Sequence, residues 1–242
     1  MQRFYIIAVI LFVFFYFTIG FSQFQIQENS PPIVKFVAPK DFSSFSRNSL
    51  LPYIIHVSDY EDGNSEYDEI NPTEVLLIAK YLKSSSEIKP YLTKESKTNY
   101  SSLVEMSRST CFSCHSAKGK LIGPSFEQIA TKYKKNEKAI EFLTEKIIAG
   151  GTSIWGDEKM PPHPDLKVDQ VQEMVYWILE NNSDSDKNYL TGIAGTIKTM
   201  EQPGSDHEKS ILVLTARYSD HGSNNQLHNS KQGQTTLILK NN

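Results

Sequence analysis

Hydrophobic and polar positions follow different rhythms along this chain. Residues 33–38 (IVKFVA), 51–57 (LPYIIHV) and 74–82 (EVLLIAKYL) alternate or run apolar between turn residues, which predicts strands. The same habit returns near the C-terminus in GIAGTIKTM, KSILVLTARYSD and QTTLILKN. Between these flanks apolar residues recur at three and four, so NYSSLVEMSRST, PSFEQIATKYKK, NEKAIEFLTEKIIAGG and KVDQVQEMVYWILENN predict helices. In the last of them Val168, Val171, Met174, Val175, Ile178 and Leu179 share a face, and Tyr176 and Trp177 add bulk. Met106 and Met174 lie on apolar faces and are expected in the core. Each flank supplies about three strands, too few for a stable sandwich alone, whereas the two flanks joined would have enough.

The N-terminus has a rhythm of its own. Arg3 precedes an apolar run from Phe4 to Phe17, and Gly20 and Ser22 follow at the small-residue spacing of a signal-peptidase site. Residues 1–22 are therefore expected to be a signal peptide, with a mature protein that begins near Gln23 and works in the periplasm or at the cell surface. Left uncleaved, the run would be an N-terminal membrane anchor. The whole chain has 242 residues, 39% of them hydrophobic and 22% charged, with a formal net charge of −3, the composition of a globular protein of one or two domains. Its lysines are scattered and form no basic stripe, so a nucleic-acid partner is not expected.

The chain has two cysteines, both within STCFSCHSAKG, residues 109–119. A disulfide between Cys111 and Cys114 would close a tiny loop and constrain the unfolded chain little. A thioredoxin-like pair should open a helix after a strand, a structural zinc needs further ligands, and neither context is present. Two thiols separated by two residues can instead add to the two vinyl groups of a haem, and the next residue, His115, then serves as proximal iron ligand. One such motif implies one covalent haem c. Downstream, the Gly-Pro turn of LIGPSF can bring the carbonyl of Pro124 to the free Nδ1–H of His115, fixing the ring. The loop GGTSIWGDEKMPPHP, residues 150–164, offers Met160 as the sixth ligand, with His163 as rival and Trp155 as a donor to a haem propionate or a simple packing residue.

Residues from about 98 to 183 resemble a class I cytochrome c of the small bacterial type, carried by CFSCH, IGP, SIWG, KMPP and MVYWIL in that order. The resemblance implies an all-α domain with Cys111 and Cys114 attaching the haem, His115 and Met160 as axial ligands, Pro124 as carbonyl partner and Trp155 at the propionates. The charged DEK ahead of Met160 departs from the pattern.

The flanks are similar in wording to the opening and closing strands of an immunoglobulin-like or PKD-type β-sandwich. The expected fold is thus multidomain α and β: a cytochrome c domain (88–184) inserted into a split immunoglobulin-like sandwich (31–84 and 190–242), with two separate β units as the alternative. The acidic loop SDYEDGNSEYDE suggests calcium held by Asp59, Asp62 and Asp68, or else a solvated turn. His56, His207, His221 and His228 show no metal-site spacing and are expected to be structural or exposed.

With both axial positions filled by protein, oxygen or peroxide finds no vacancy. The expected function is single-electron transfer between extracytoplasmic redox proteins, a dehydrogenase donor or an oxidase-side acceptor, and not catalysis. Lys118, Lys120 and Lys159 are candidates to steer an acidic partner. The alternatives are a redox accessory to a carbohydrate- or protein-binding sandwich serving a sugar dehydrogenase, and a haem enzyme such as a peroxidase.

Overall fold

The computed structural model describes residues 28–181, 184–199, 211–223 and 229–242. The signal-peptide reading of residues 1–22, and His207 and His228, lie outside the described residues. No helix among the described residues is long and apolar enough to cross a membrane.

Strands β1 (Ile33–Ala38), β2 (Ser44–Phe45), β3 (Leu50–Asp59), β4 (Gly63–Asn64) and β5 (Leu76–Leu82) precede a helical region. That region holds α1 (Ile88–Glu95), α2 (Ser101–Arg108), α3 (Phe126–Lys132), α4 (Glu137–Ala149), a short hairpin of β6 (Gly151–Ser153) and β7 (Gly156–Met160), and α5 (Val168–Asn181). Strands β8 (Lys187–Thr191), β9 (Ala194–Lys198), β10 (Ile211–Ser219) and β11 (Gln232–Asn241) follow.

Strands from the two flanks pair with each other. In one sheet β3 lies between β1 and β9, with Leu51 opposite Ile197, and also pairs with β4. The other has the order β2-β11-β10-β5-β8, with Leu212 opposite Tyr81 and Leu77 opposite Leu190. The flanks therefore make one two-sheet unit rather than two separate ones. Its core is built from the inward positions of both sheets: Tyr53, Ile55 and Val57 of β3 meet Leu77 and Ala79 of β5 and Leu212 and Leu214 of β10. The flanks hold more strands than the six expected, because β2 and β4 are two residues each and β8 (KNYLT) is too polar to show alternation.

Strand β5 runs apolar because both of its faces are covered. Leu77 and Ala79 point into the sandwich, while Leu76 and Ile78 point the other way, into a core with Leu103 and Met106 of α2 and Met174, Trp177 and Ile178 of α5. Tyr189 of β8 joins the same core. At the strand end, Leu82, Ile211 and Val213 pack against Ile88, Tyr91 and Leu92 of α1, a helix the apolar rhythm did not predict. The second sheet is thus the middle of three layers, with the other sheet on one side and the helices on the other.

The four predicted helices are present. Ser125 and Gln128 form a reciprocal capping box at the start of α3, and Asn136 caps α4 through the Ala139 N–H. On α5, Val171, Met174, Val175 and Ile178 are buried and Leu179 packs beside them, whereas Val168, in the first position of the helix, is 56% exposed and leaves the expected face. The stretch read as a loop around Met160 contains the β6–β7 hairpin; its second strand, GDEKM, is exposed almost throughout, so no apolar alternation marks it.

Candidate haem site

Helix α2 ends at Arg108, and Thr110, in the left-handed region at φ 59°, turns the chain into a single 3-10 turn over Cys111–Ser113. The carbonyl of Cys111 accepts from the backbone N–H groups of Cys114 (3.2 Å) and His115 (2.9 Å), which brings both thiols and the imidazole to one turn of chain. Both cysteines are free thiols. Burial pushes the Cys111 thiol up to about 11, with the nearby Cys114 adding a little and a backbone hydrogen bond opposing.

His115 Nδ1 lies 2.7 Å from the carbonyl oxygen of Pro124. A carbonyl only accepts, so Nδ1 carries the proton and Nε2 keeps its lone pair. Burial holds the imidazole below its ordinary value, with the Pro124 contact opposing and His163 adding to the depression, so the ring is neutral near pH 7 and able to bind a metal. The ring stacks on Phe126 (centroids 5.7 Å apart, 20° between planes), and Phe126 is braced edge-on by Phe112 at 5.5 Å and Trp177 at 6.5 Å.

Gly123 lies so close to this ring that a Cβ there would stand 2.5 Å from His115 Cε1. Gly123→Ala is therefore expected to displace the ring from Pro124 and cost about 1–3 kcal/mol, the range for forced overpacking. Urea unfolding and the histidine's NMR signals would check it, and unchanged values for both would refute it.

These groups line a cavity of about 520 Å³ together with Met160, Trp155, Lys159 and an apolar wall that includes Ile129, Ile147 and Val175. Met160 is half-buried at the end of β7, opposite Gly151. Behind it Gly150, at φ 67°, ends α4; a Cβ there would meet the Met160 carbonyl oxygen and Pro162 N at 2.6 Å each, so glycine permits the close approach. Trp155 is half-buried, with the Lys132 ammonium 5.5 Å from its ring centroid and its carbonyl accepting from Lys120 at 3.4 Å. His163 does not line the cavity; its N–H bonds the carbonyls of Ile147 and Ile148 at the end of α4 (3.2 Å each).

Lys118 donates to the Ser185 carbonyl on the way into β8, a structural use unlike the expected steering role. Met106 and Met174 are buried as expected but also line the cavity, which their helical spacing did not reveal. Asp59, Asp62 and Asp68 do not converge: Asp62 accepts from the Tyr218 hydroxyl (2.7 Å) and from His221, and Asp68 is exposed in a left-handed turn. His221 has the structural role that was one of its two expected readings, with Nδ1 and Nε2 3.0 Å from Asp62 and Glu74.

Two thiols, an imidazole with a free Nε2, a thioether and an apolar wall in one cavity fit a covalently bound haem. A model of the Cytochrome c family matches residues 104–182. Cytochrome c-551 of Allochromatium vinosum is 35% identical over 77 residues, 32% of this chain and 82% of that protein. Cytochrome c-552 of Hydrogenobacter thermophilus is 35% identical over 69 residues, 28% of this chain and 69% of that protein. The crystal structure of wild-type Nitrosomonas europaea cytochrome c552 aligns with 31% of this chain and 91% of its own, at 31% identity and a TM-score of 0.29. Through residues 104–182, with the paired thiols and His115 at their centre, the chain belongs to the cytochrome c family.

Proposed function

We propose that this protein is an exported monohaem c-type cytochrome that carries single electrons between extracytoplasmic redox partners. In this reading Cys111 and Cys114 would hold haem c by thioether bonds, and His115 Nε2 and Met160 Sδ would ligate its iron. The observation that carries it is the contact of His115 Nδ1 with Pro124 O at 2.7 Å, which leaves Nε2 as the free donor of a ring in the cavity shared with both thiols and Met160. When bound, the haem iron supplies one-electron cycling between ferric and ferrous forms.

The chain's own residues set the conditions for that cycling. Phe126 and Gly123 hold the His115 ring in one plane, which limits reorganisation when an electron arrives. The apolar wall would exclude water and favour the less charged state of a bound haem, and the Met160 thioether would raise its potential relative to a second imidazole. With both His115 and Met160 as ligands the iron would have no position for a substrate, and the reading is accordingly a carrier and not a peroxidase. Trp155 lines the cavity, in keeping with a role at the propionates.

The two-sheet unit is, in the same proposal, an immunoglobulin-like sandwich split between β5 and β8, with the cytochrome inserted there. The cross-pairing of β5 with β8 and β10, and of β3 with β9, supports this reading. Strand β8 begins at Lys187, so the second part of the sandwich starts three residues ahead of 190.

The optical spectrum of the haem-loaded protein tests the ligand set. The ferric form is expected to show the weak methionine-sulfur band in the red, and Met160→Ala to lose it while the haem stays attached. A wild type that is already high-spin, or a band that survives the substitution, would refute methionine ligation by Met160.

A further inference from the structure

The two sheets differ in what covers them. Where β5 passes, the sheet β2-β11-β10-β5-β8 is buried on both faces, by the sandwich core on one side and the helices on the other. The sheet of β1, β3 and β9 has only its inner face in that core. A sheet face left to water carries polar residues at alternate positions. Here Ile33 and Val37 of β1 and Leu50 and Ile54 of β3 hold outward positions and are 46–67% exposed. Pro52 lies between the last two, and Ala194 of β9 stands opposite Ile54.

The charges of this face have one sign. Lys35 of β1 and Lys198 of β9, the latter opposite Leu50, are its ions, and no carboxylate occupies an outward position of the three strands. At one end His56 meets Glu66, from the turn beyond β4, at 3.5 Å. Strands about 4.8 Å apart that rise about 3.4 Å per residue make this face roughly 15 Å by 30 Å, about 450 Å². Such a patch is large enough to mark an interaction, yet about half of the roughly 800 Å² that each partner buries in a stable protein interface. A second copy of this chain is therefore a poor occupant. A lipid surface sets no such minimum, because apolar side chains enter it one by one and lysines attract anionic headgroups.

The chain itself brings a bilayer within reach. Residues 18–32 alone separate the apolar run Phe4 to Phe17 from Ile33, the first outward residue of the face, a span of roughly 50 Å at full extension. We infer that the outer face of β1, β3 and β9 docks on an anionic lipid bilayer, the one in which the N-terminal run, left uncleaved, is seated. Ile33, Val37, Leu50 and Ile54 enter the boundary between headgroups and acyl chains, and Lys35 and Lys198 meet lipid phosphates. Strand β3 has a neighbour on each side, so its backbone groups are paired within the sheet and side chains alone need leave water. Because the second sheet lies between this face and the helices, the haem cavity stands off the lipid by at least one sheet-to-sheet spacing, about 10 Å.

The test uses the full chain in vesicles of phosphatidylethanolamine and phosphatidylglycerol, with and without brominated acyl chains, which quench tryptophan on contact. Ile54→Trp adds a reporter to the face, and the emission of the wild type, from Trp155 and Trp177, is subtracted. The reporter is expected to lose most of its emission in brominated vesicles, whereas Tyr176→Trp, a reporter on the helical layer, should stay bright. Val37→Glu with Leu50→Glu should abolish the loss, and Lys35→Gln with Lys198→Gln, which keeps the apolar side chains, should weaken it. All of these positions are exposed, so urea unfolding of the variants should match the wild type. Docking on lipid is overturned by equal emission of the Ile54→Trp reporter in both kinds of vesicle, by a loss that survives the glutamates, or by an equal loss from Tyr176→Trp. A dimer in the absence of vesicles that the glutamates dissolve would also overturn it, and would give the face to a second copy.

Discussion

Replacing both Cys111 and Cys114 by alanine is expected to give a protein whose haem is extracted into acidified organic solvent, while haem of the wild type stays with the chain. The two thiols are the only ones in the sequence and stand on one turn of backbone, so thioether attachment has no other site. His115 and Met160 are separated by 45 positions and would hold the group by coordination alone, which protonation of the imidazole in acid destroys. The variant is also expected to unfold at lower urea. A group bound to the native but not to the unfolded chain stabilises by its occupancy, and one that dissociates on unfolding contributes less than one that cannot leave. Haem retained after acid extraction of the double variant would refute covalent attachment through these cysteines.

The second large effect belongs to the junction between helices and sheet. Glu95, 4% exposed at the end of α1, accepts from the Tyr100 hydroxyl and pairs with Lys187 of β8 at 3.2 Å. Lys187 also donates to the Tyr100 oxygen at 2.9 Å, and the Arg217 guanidinium of β10 covers the Tyr100 ring at 4.5 Å and donates to the Glu95 carbonyl. Removing the carboxylate leaves the largely buried Lys187 ammonium without its anion, so Glu95→Ala is expected to cost about 3–5 kcal/mol in urea unfolding. Lys187→Met in the same chain should return part of that loss, because the stranded charge goes with it.

The pH dependence gives an independent readout. Burial already holds the Lys187 ammonium below its ordinary value, against the pull of Glu95 and Asp184. At Lys187 the native state therefore binds fewer protons than the unfolded chain, so the contribution of this group to stability rises with pH through the lysine range. Without Glu95 the depression deepens, so the variant should regain stability over a wider span below the ordinary lysine pKa. A cost under about 1 kcal/mol would mean that the pair is no more than a surface bridge.

Much of the candidate site could be read from the chain because its parts are local. CFSCH is five consecutive residues, and Pro124 lies nine positions from His115. Helical rhythm marked α2, α3, α4 and α5 because one face of each packs on a core. Helix α1 escaped because its apolar contacts, Ile88, Tyr91 and Leu92, are few and meet a strand end. Phe126 gave no sign of its stacking on His115, since an aromatic at a helix start reads as ordinary core.

The haem motif, four of the helices and the presence of strands on either side are legible in the chain, because spacing and alternation operate over a few residues. The sharing of two sheets by the flanks, the burial of β5 on both faces and the meeting of Asn29 with Asp220 across 191 positions come instead from long-range packing. Partners so distant leave no period in the chain: each residue's type is compatible with many neighbours, and the choice among them falls to the packing of the three layers.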